Sequence, residues 1–198
     1  MSENLKNQII WDDFRKGSKD ALEAIYEDNY SSLYYYGLKY TKDNELVKDL
    51  IQELFIELID SGSRLATTDN VRFYLLKALR NKLTRHLSKK SMISNDNVES
   101  FDFNVLDSIE SQLIKEEIEE DIKNRIMSAV RKLSAKQQEI IYLRFYSEIS
   151  YQEIANLFDV EIQTVRNLMS RAIKSLKDDF QNNNISKSMI FFLLSLRV

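Results

Sequence analysis

The chain has 198 residues, a length that allows one large or two small domains. Its 43% hydrophobic and 30% charged residues are typical of a soluble globular protein. The absence of cysteine excludes disulfides and thiolate zinc sites, and a single histidine argues against a histidine-rich site, so we expect no metal and no cofactor. The chain does not open with a charged and then apolar signal segment, and we therefore expect a cytoplasmic protein.

The charges are segregated along the chain, although the net charge is only −3. Residues 71–90 carry no acid and seven basic residues, which are Arg72, Lys77, Arg80, Lys82, Arg85, Lys89 and Lys90. Residues 91–121 carry ten acidic residues against Lys115 alone, and basic residues again outnumber acids in 122–176. An alternation of basic, acidic and basic segments predicts two lobes that bind polyanions and a connector of a different kind.

With no proline and only three glycines, the chain is expected to be helical almost throughout. The first predicted helix begins at Ser18, a favourable cap, and is interrupted or ended at Gly37. A second helix is predicted from 45 to about 60, because its leucines recur at every fourth position and give it a broad apolar face that includes Ile59. The polar residues on its remaining face are Lys48, Asp49, Gln52, Glu53 and Glu57.

Residues 61–70 have no periodic apolar pattern and are predicted to form a loop. The basic helix is expected to begin directly after Asn70, which is a good cap. Residues 91–106 are polar and aperiodic, which predicts a flexible linker. The second lobe is predicted to begin near Asp107, with Ser134 as the cap of one of its helices.

The segment 150–172 is the most informative part of the sequence, because it predicts two short helices joined by a tight turn. Ser150 and Glu153 have the spacing of a capping box, and Asp159 tolerates the left-handed backbone of a turn. The second helix has a buried stripe of Val165, Met169, Ala172 and Leu176. Its opposite, basic face is suited to the major groove of DNA, so this segment is a candidate helix-turn-helix. Ordinary packing in a helical bundle is the competing interpretation.

Two motifs resemble those of bacterial sigma factors. The sequence Asp-Leu-Ile-Gln-Glu-Leu-Phe at 49–55 is similar to their D-L-x-Q-E-x-F signature, and 143–172 resembles their promoter-binding helix-turn-helix. The order and spacing of the motifs are similar to the extracytoplasmic-function (ECF) group of the sigma-70 family. This resemblance implies an all-α protein of two small helical domains joined by a flexible acidic linker. The implied parts are a region 2-like domain at 1–90, the linker at 91–110, a region 4-like helix-turn-helix domain at 111–180 and an apolar tail at 181–198.

The resemblance also implies partners and the residues that bind them. Core RNA polymerase would be bound by Asp49, Gln52, Glu53 and Phe55. The −10 promoter element, including a base flipped out by the loop before the basic helix, would be bound by Asp69, Asn70, Arg72, Tyr74, Lys77, Arg80, Asn81, Lys82 and Arg85. The −35 element would be bound by Thr164, Arg166, Asn167, Arg171 and Lys174. The family often has an inhibitory anti-sigma factor as a further partner.

Two other functions remain open at this stage. An autonomous helix-turn-helix regulator would bind DNA without polymerase, and a helical protein-interaction module would use the helix at 45–60 and bind no DNA. The sequence contains neither a nucleophile with a base and an orienting group nor a glycine loop that could bind phosphate, so we expect no enzymatic activity and no small-molecule substrate. The apolar tail at 189–198 is far shorter than the roughly 20 residues that span a membrane, so we expect no membrane insertion. Glu148 and Asp159 stand where the family often has glycine, and Leu168 stands where it usually has a polar residue.

Overall fold

A computed structural model describes residues 3–94 and 120–182, which belong to two compact units. Every regular element in these two ranges is helical, which confirms the all-α fold. None of the helices in these ranges combines the length and the apolar composition that crossing a membrane requires. The predicted linker at 91–110 and the apolar tail at 181–198 lie almost entirely outside the described residues, as does the predicted beginning of the second domain at 111–119.

The N-terminal unit, residues 3–94, consists of four α-helices and a short 3-10 turn. The helices are α1 (Glu3–Arg15), α2 (Lys19–Gly37), α3 (Asn44–Ser61) and α4 (Val71–Ser94), and the 3-10 turn at Gly62–Arg64 follows α3 directly. The sequence did not predict α1, which is polar over most of its length and docks through few apolar residues. Residues 91–94, which were predicted as the beginning of the linker, continue α4.

The predicted caps of the N-terminal unit are confirmed. The hydroxyl of Ser18 accepts a hydrogen bond from the amide of Ala21 at 3.2 Å, which begins α2. The side-chain oxygen of Asn70 accepts one from the amide of Phe73 at 3.0 Å and thereby begins α4. Each such cap satisfies an amide that has no partner inside its helix, a contribution of about 1 kcal/mol to stability.

The core of the N-terminal unit is built from residues of all four helices. Its fully buried large side chains are Trp11, Leu33, Tyr36, Ile51, Leu54, Leu75, Leu76, Leu79 and Leu83. Gly37 ends α2 where that helix meets α3, and a Cβ atom added there would lie 2.6 Å from Cγ1 of Val47. The close approach of the two helices therefore requires glycine at this position.

The C-terminal unit, residues 120–182, contains four α-helices and a π-helical turn. The helices are α5 (Glu120–Arg131), α6 (Ala135–Ile141), α7 (Tyr151–Phe158) and α8 (Ile162–Asn182), and the π-helical turn Tyr142–Tyr146 follows α6. The predicted cap at Ser134 is confirmed as a complete capping box with Gln137.

The predicted helix-turn-helix is present as α7, a tight turn and α8. The Ser150 hydroxyl accepts from the amide of Glu153 at 3.2 Å, and a Glu153 carboxylate oxygen accepts from the amide of Ser150 at 2.9 Å, which completes the capping box. Asp159 has a φ of 53°, so it adopts the left-handed conformation that the turn needs. The predicted stripe is buried at each of its positions, Val165, Met169, Ala172 and Leu176.

The segment between α6 and α7 is tightly packed and includes a strained residue. The rings of Tyr142 and Tyr146 stack with centroids 5.5 Å apart, and burial raises the pKa of Tyr146 far above its ordinary value of 10.0. Glu148 has a φ of 59°, a left-handed conformation that costs a non-glycine residue roughly 1 kcal/mol or more. Glu148 and Asp159 therefore both adopt a backbone geometry that ordinarily favours glycine.

Candidate nucleic-acid interface

The outer face of α8 is a polar surface. The five predicted −35 contacts on this helix are all exposed, namely Thr164, Arg166, Asn167, Arg171 and Lys174. Gln163 donates from Nε2 to Oδ1 of Asn167 at 3.1 Å, which orients the amide of Asn167. Within residues 120–182, no carboxylate pairs with Arg166, Arg171 or Lys174. The buried stripe on the opposite side fixes the helix, so these side chains form one accessible basic face.

The basic helix α4 differs, because one of its predicted DNA contacts points towards α3. Nζ of Lys82 lies 2.6 Å from a carboxylate oxygen of Glu57 and 3.5 Å from one of Glu53, and the Lys82 side chain is only 15% exposed. The structure thus places Lys82 between two helices and not on the outer face. Lys77, Asn81 and Arg85 are exposed, and Arg72 and Arg80 are partly exposed.

Tyr74, another predicted DNA contact, belongs to an aromatic cluster at the beginning of α4. Its ring centroid lies 4.9 Å from that of Trp11, which in turn lies 5.6 Å from that of Phe14. Burial, followed by the nearby charge of Glu57, raises the pKa of Tyr74 above its ordinary value. Tyr74 is partly exposed, so the residue packs in the domain and borders its surface.

The loop between the 3-10 turn and α4, residues 65–70, lies beside this cluster. Asn70, a predicted base contact, uses its side-chain oxygen to cap α4, and its backbone amide and carbonyl both bond to the hydroxyl of Thr68 at 3.2 Å. Asp69, the other predicted contact here, is exposed. The structure therefore shows Asn70 in a capping role and leaves Asp69 available at the surface.

The loop and the end of α1 together border a cavity of about 290 Å³. The residues that line it are Asp12, Arg15, Lys16, Ser63 and Thr67. Arg15 donates from Nε to the backbone oxygen of Leu65 at 2.8 Å, and Trp11 donates from Nε1 to that of Ala66 at 2.9 Å. The sequence did not single out Trp11 or Arg15, since nothing local connects α1 with a loop some fifty residues away.

The outer face of α3 is acidic and also carries apolar side chains. Asp49, Gln52 and Glu53 are exposed, as the sequence predicts for a docking surface. Phe55 does not share this face, because it is buried with its ring edge-on to that of Tyr26 at 5.0 Å. The structure thus brings together three of the four predicted polymerase contacts.

Two isoleucines on α3 were missed as candidates for docking. Ile56 is 57% exposed and Ile59 is 54% exposed, whereas the sequence predicted Ile59 on the buried face, and that prediction is wrong. Ile56 follows Gln52 by four positions and Asp49 by seven, so helical spacing alone could have placed it on the same stripe. An exposed apolar side chain among carboxylates is typical of a protein-binding surface.

Comparison with known protein families matches both units. The family model described as "Sigma-70 region 2" matches residues 25–92, and the model described as "Sigma-70, region 4" matches residues 123–176. The chain is 24% identical over 161 residues to the ECF RNA polymerase sigma factor SigX of Bacillus subtilis, which covers 80% of this chain and 83% of the relative. It is also 24% identical over 161 residues to the ECF sigma factor SigM of the same organism, covering 79% of this chain and 93% of the relative.

A solved structure has the same fold. The sigma factor RpoE from Bartonella quintana, crystallised in complex with the anti-sigma factor NepR, aligns with a TM-score of 0.55 and 19% sequence identity, covering 82% of this chain and 96% of RpoE. The order of the two matched regions, the relatives and the fold agree with one another. The chain belongs to the sigma-70 family of transcription initiation factors, in its ECF group.

Proposed function

We propose that the two units of this initiation factor divide promoter recognition between them, so that the C-terminal unit reads the −35 element and the N-terminal unit the −10 element. The observation that carries this proposal is the exposed basic face of α8, whose cations have no carboxylate partner within residues 120–182 and which is backed by a buried stripe. An α-helix of this kind fits the major groove, where each base pair presents a distinct pattern of donors and acceptors. The turn at Asp159 and the capped α7 fix the angle between α7 and α8.

In this proposal, different side chains of α8 read the base sequence and position the helix on the DNA. Arg166 and Asn167 lie near the beginning of α8 and contact base edges, as is usual for a recognition helix. Arg171 and Lys174 lie one to two turns further on and bind phosphates. Each phosphate contact makes the plot of log binding constant against log salt concentration steeper, by about −0.9 in slope.

The N-terminal unit would bind the promoter where the strands separate. The exposed cations of α4, Lys77 and Arg85, would hold the phosphate backbone. Ser63 and Thr67, which carry hydroxyl groups, are among the residues that line the cavity of about 290 Å³ beside the loop. Such groups can hydrogen-bond the edge of an unstacked base, so we propose that this loop receives a base flipped out of the melted strand.

Core RNA polymerase would dock on the outer face of α3. Asp49, Gln52 and Glu53 supply charge and hydrogen bonds, and the exposed Ile56 and Ile59 supply apolar area beside them. An anti-sigma factor, the kind of partner that RpoE has in its crystal structure, would inhibit this chain by covering the same face.

The test is run-off transcription by bacterial core polymerase on DNA from the region upstream of the chain's own gene, with and without this protein. We expect initiation that depends on the chain and is lost when Asp49, Gln52 and Glu53 are all replaced by alanine. A matched control replaces three exposed acids of α2 by alanine, namely Glu23, Glu27 and Asp28, and should retain activity.

Other outcomes would support the competing functions. Binding of the free protein to promoter DNA with no effect on core polymerase would favour an autonomous regulator with two-fold symmetric sites. Binding to core polymerase without initiation on any DNA fragment would favour the interaction module. Equal activity of the α3 variant and its α2 control would contradict the proposed docking face.

A further inference from the structure

Helix α1 is joined to the loop 65–70 by two hydrogen bonds from side chains to the backbone. Trp11 donates from Nε1 to the carbonyl oxygen of Ala66 at 2.9 Å, and Arg15 donates from Nε to that of Leu65 at 2.8 Å. The bonded residues are 55 and 50 positions apart in the sequence. The match to sigma-70 region 2 begins at residue 25, so α1 lies outside the part of the chain that the family description covers.

Both donors are held in place by further contacts. The Trp11 side chain is completely buried, and its ring packs against those of Phe14 and Tyr74. The guanidinium group of Arg15 also donates from a terminal nitrogen to the carboxylate of Asp12 at 3.1 Å, one turn earlier in α1. A donor that is already fixed loses little rotational freedom when it forms a bond, so this helix is a rigid anchor for the loop.

The loop has local hydrogen bonds at its beginning and at its end. The amide of Leu65 donates to the carbonyl oxygen of Gly62, and the hydroxyl of Thr68 bonds to the backbone of Asn70. Among the described residues, the only partners of the carbonyl oxygens of Leu65 and Ala66, the first two residues of the loop, are on α1. Without α1, the segment around Leu65 and Ala66 would exchange among conformations. Binding of a base would then have to order this segment, at a cost in conformational entropy.

We infer that Trp11 and Arg15 are positioning residues, which hold the loop in the conformation that receives an unpaired base. This inference rests on the proposed function of the loop. Both residues act through Leu65 and Ala66, whose carbonyl groups they bind, and the next residue, Thr67, lines the cavity beside them. A loop that is ordered in advance binds more tightly because the ordering cost is met during folding.

The test uses holoenzyme reconstituted from core polymerase and the full chain, with forked promoter DNA taken from the run-off template. Each unpaired position of the non-template strand is made abasic in turn, and affinity is compared with the intact fork. The position at which loss of the base weakens wild-type binding most identifies the captured base. For each variant, the affinity for the intact fork divided by the affinity for the fork that is abasic at that position is called the base preference.

Arg15→Met keeps the aliphatic part of the side chain and removes its donors, and Trp11→Phe keeps an aromatic ring and removes the indole N–H. We expect each variant to lower the base preference by roughly three- to tenfold, the range that one net hydrogen bond contributes. Lys6→Met removes one charge from an exposed position of the same helix and should keep the wild-type preference. Partial unfolding would weaken binding to intact and abasic forks equally and would leave the ratio unchanged.

The outcomes separate this inference from the function on which it rests. A wild-type preference for the intact fork that survives unchanged in both Arg15→Met and Trp11→Phe would overturn the positioning role and leave the base-binding loop in place. A wild-type holoenzyme with no base preference at any unpaired position would overturn the proposed function of the loop and the positioning role with it.

Discussion

The two basic helices of this protein present their charges in different ways. On α8, Arg166, Arg171 and Lys174 extend from the outer face without carboxylate partners in residues 120–182. On α4, Lys82 is turned inwards between Glu53 and Glu57. A basic residue on a helix is therefore not by itself a phosphate contact, because a neighbouring helix of the same unit can bind it first.

The difference follows from how each helix is supported. Residues close in sequence define α8, since the cap at Ser150, the turn at Asp159 and the buried stripe all lie within one short segment. The surface around α4 depends on distant elements, since α1 orders the preceding loop and α3 pairs with Lys82. The N-terminal unit should thus be sensitive to changes far from its proposed DNA-binding face, and the C-terminal unit to changes within the motif.

The largest expected effect is the loss of the anchor in the N-terminal unit. Trp11→Ala removes a fully buried side chain and its bond to the loop, and it should lower the free energy of unfolding of this unit by about 3–5 kcal/mol. Hydrogen exchange of the α4 amides, which reports the stability of this unit, is the measurement. Leu5→Ala, at a residue of the same helix that is 47% exposed, is the control and should change exchange little. Equal protection in both variants would refute the dependence of α4 on α1.

An intermediate effect on promoter affinity is expected to distinguish Arg166, which is exposed, from Lys82, which is paired with carboxylates. Arg166→Ala should weaken holoenzyme binding to its promoter by about 1–3 kcal/mol, because an exposed base or phosphate contact is lost. Lys82→Met should weaken it less, because its ammonium group is already bound by two carboxylates. Fluorescence anisotropy of labelled promoter DNA over a range of salt concentrations measures both effects. Lys177→Met, at an exposed position near the end of α8, controls for net charge. A larger loss for Lys82→Met than for Arg166→Ala would reverse the comparison.

The smallest effect concerns two serines of the C-terminal unit. Ser150→Ala removes one half of the capping box and should lower stability by about 1 kcal/mol. Ser147→Ala should be close to neutral, because the buried Ser147 hydroxyl has no hydrogen-bond partner among the described residues. The free energy of unfolding of each variant is measured by hydrogen exchange of the α7 amides at increasing urea concentrations. If the two substitutions cost the same, the cap does not stabilise α7 as its geometry indicates.

Much of the fold could be predicted from the sequence because many of its signals are local. Capping residues such as Ser134 and Ser150 bind amides within one turn, and Asp159 tolerates its left-handed geometry without distant support. The apolar period of α8 likewise indicates which side is buried. These features depend on residues a few positions apart, so a single sequence is enough to find them.

The assignments that only the tertiary structure could decide involve groups far apart in the chain. Ile59 has the period of a core residue but is 54% exposed, and Phe55 is buried against Tyr26 and does not lie on the proposed docking face. Helix α1 has a weak apolar pattern and is held by a few deeply buried side chains, above all Trp11. The sequence by itself determined the helical class, the helix-turn-helix and the family resemblance. Tertiary structure decided which charged side chains are paired and which loop is held, because both depend on distances between helices that local periodicity does not specify.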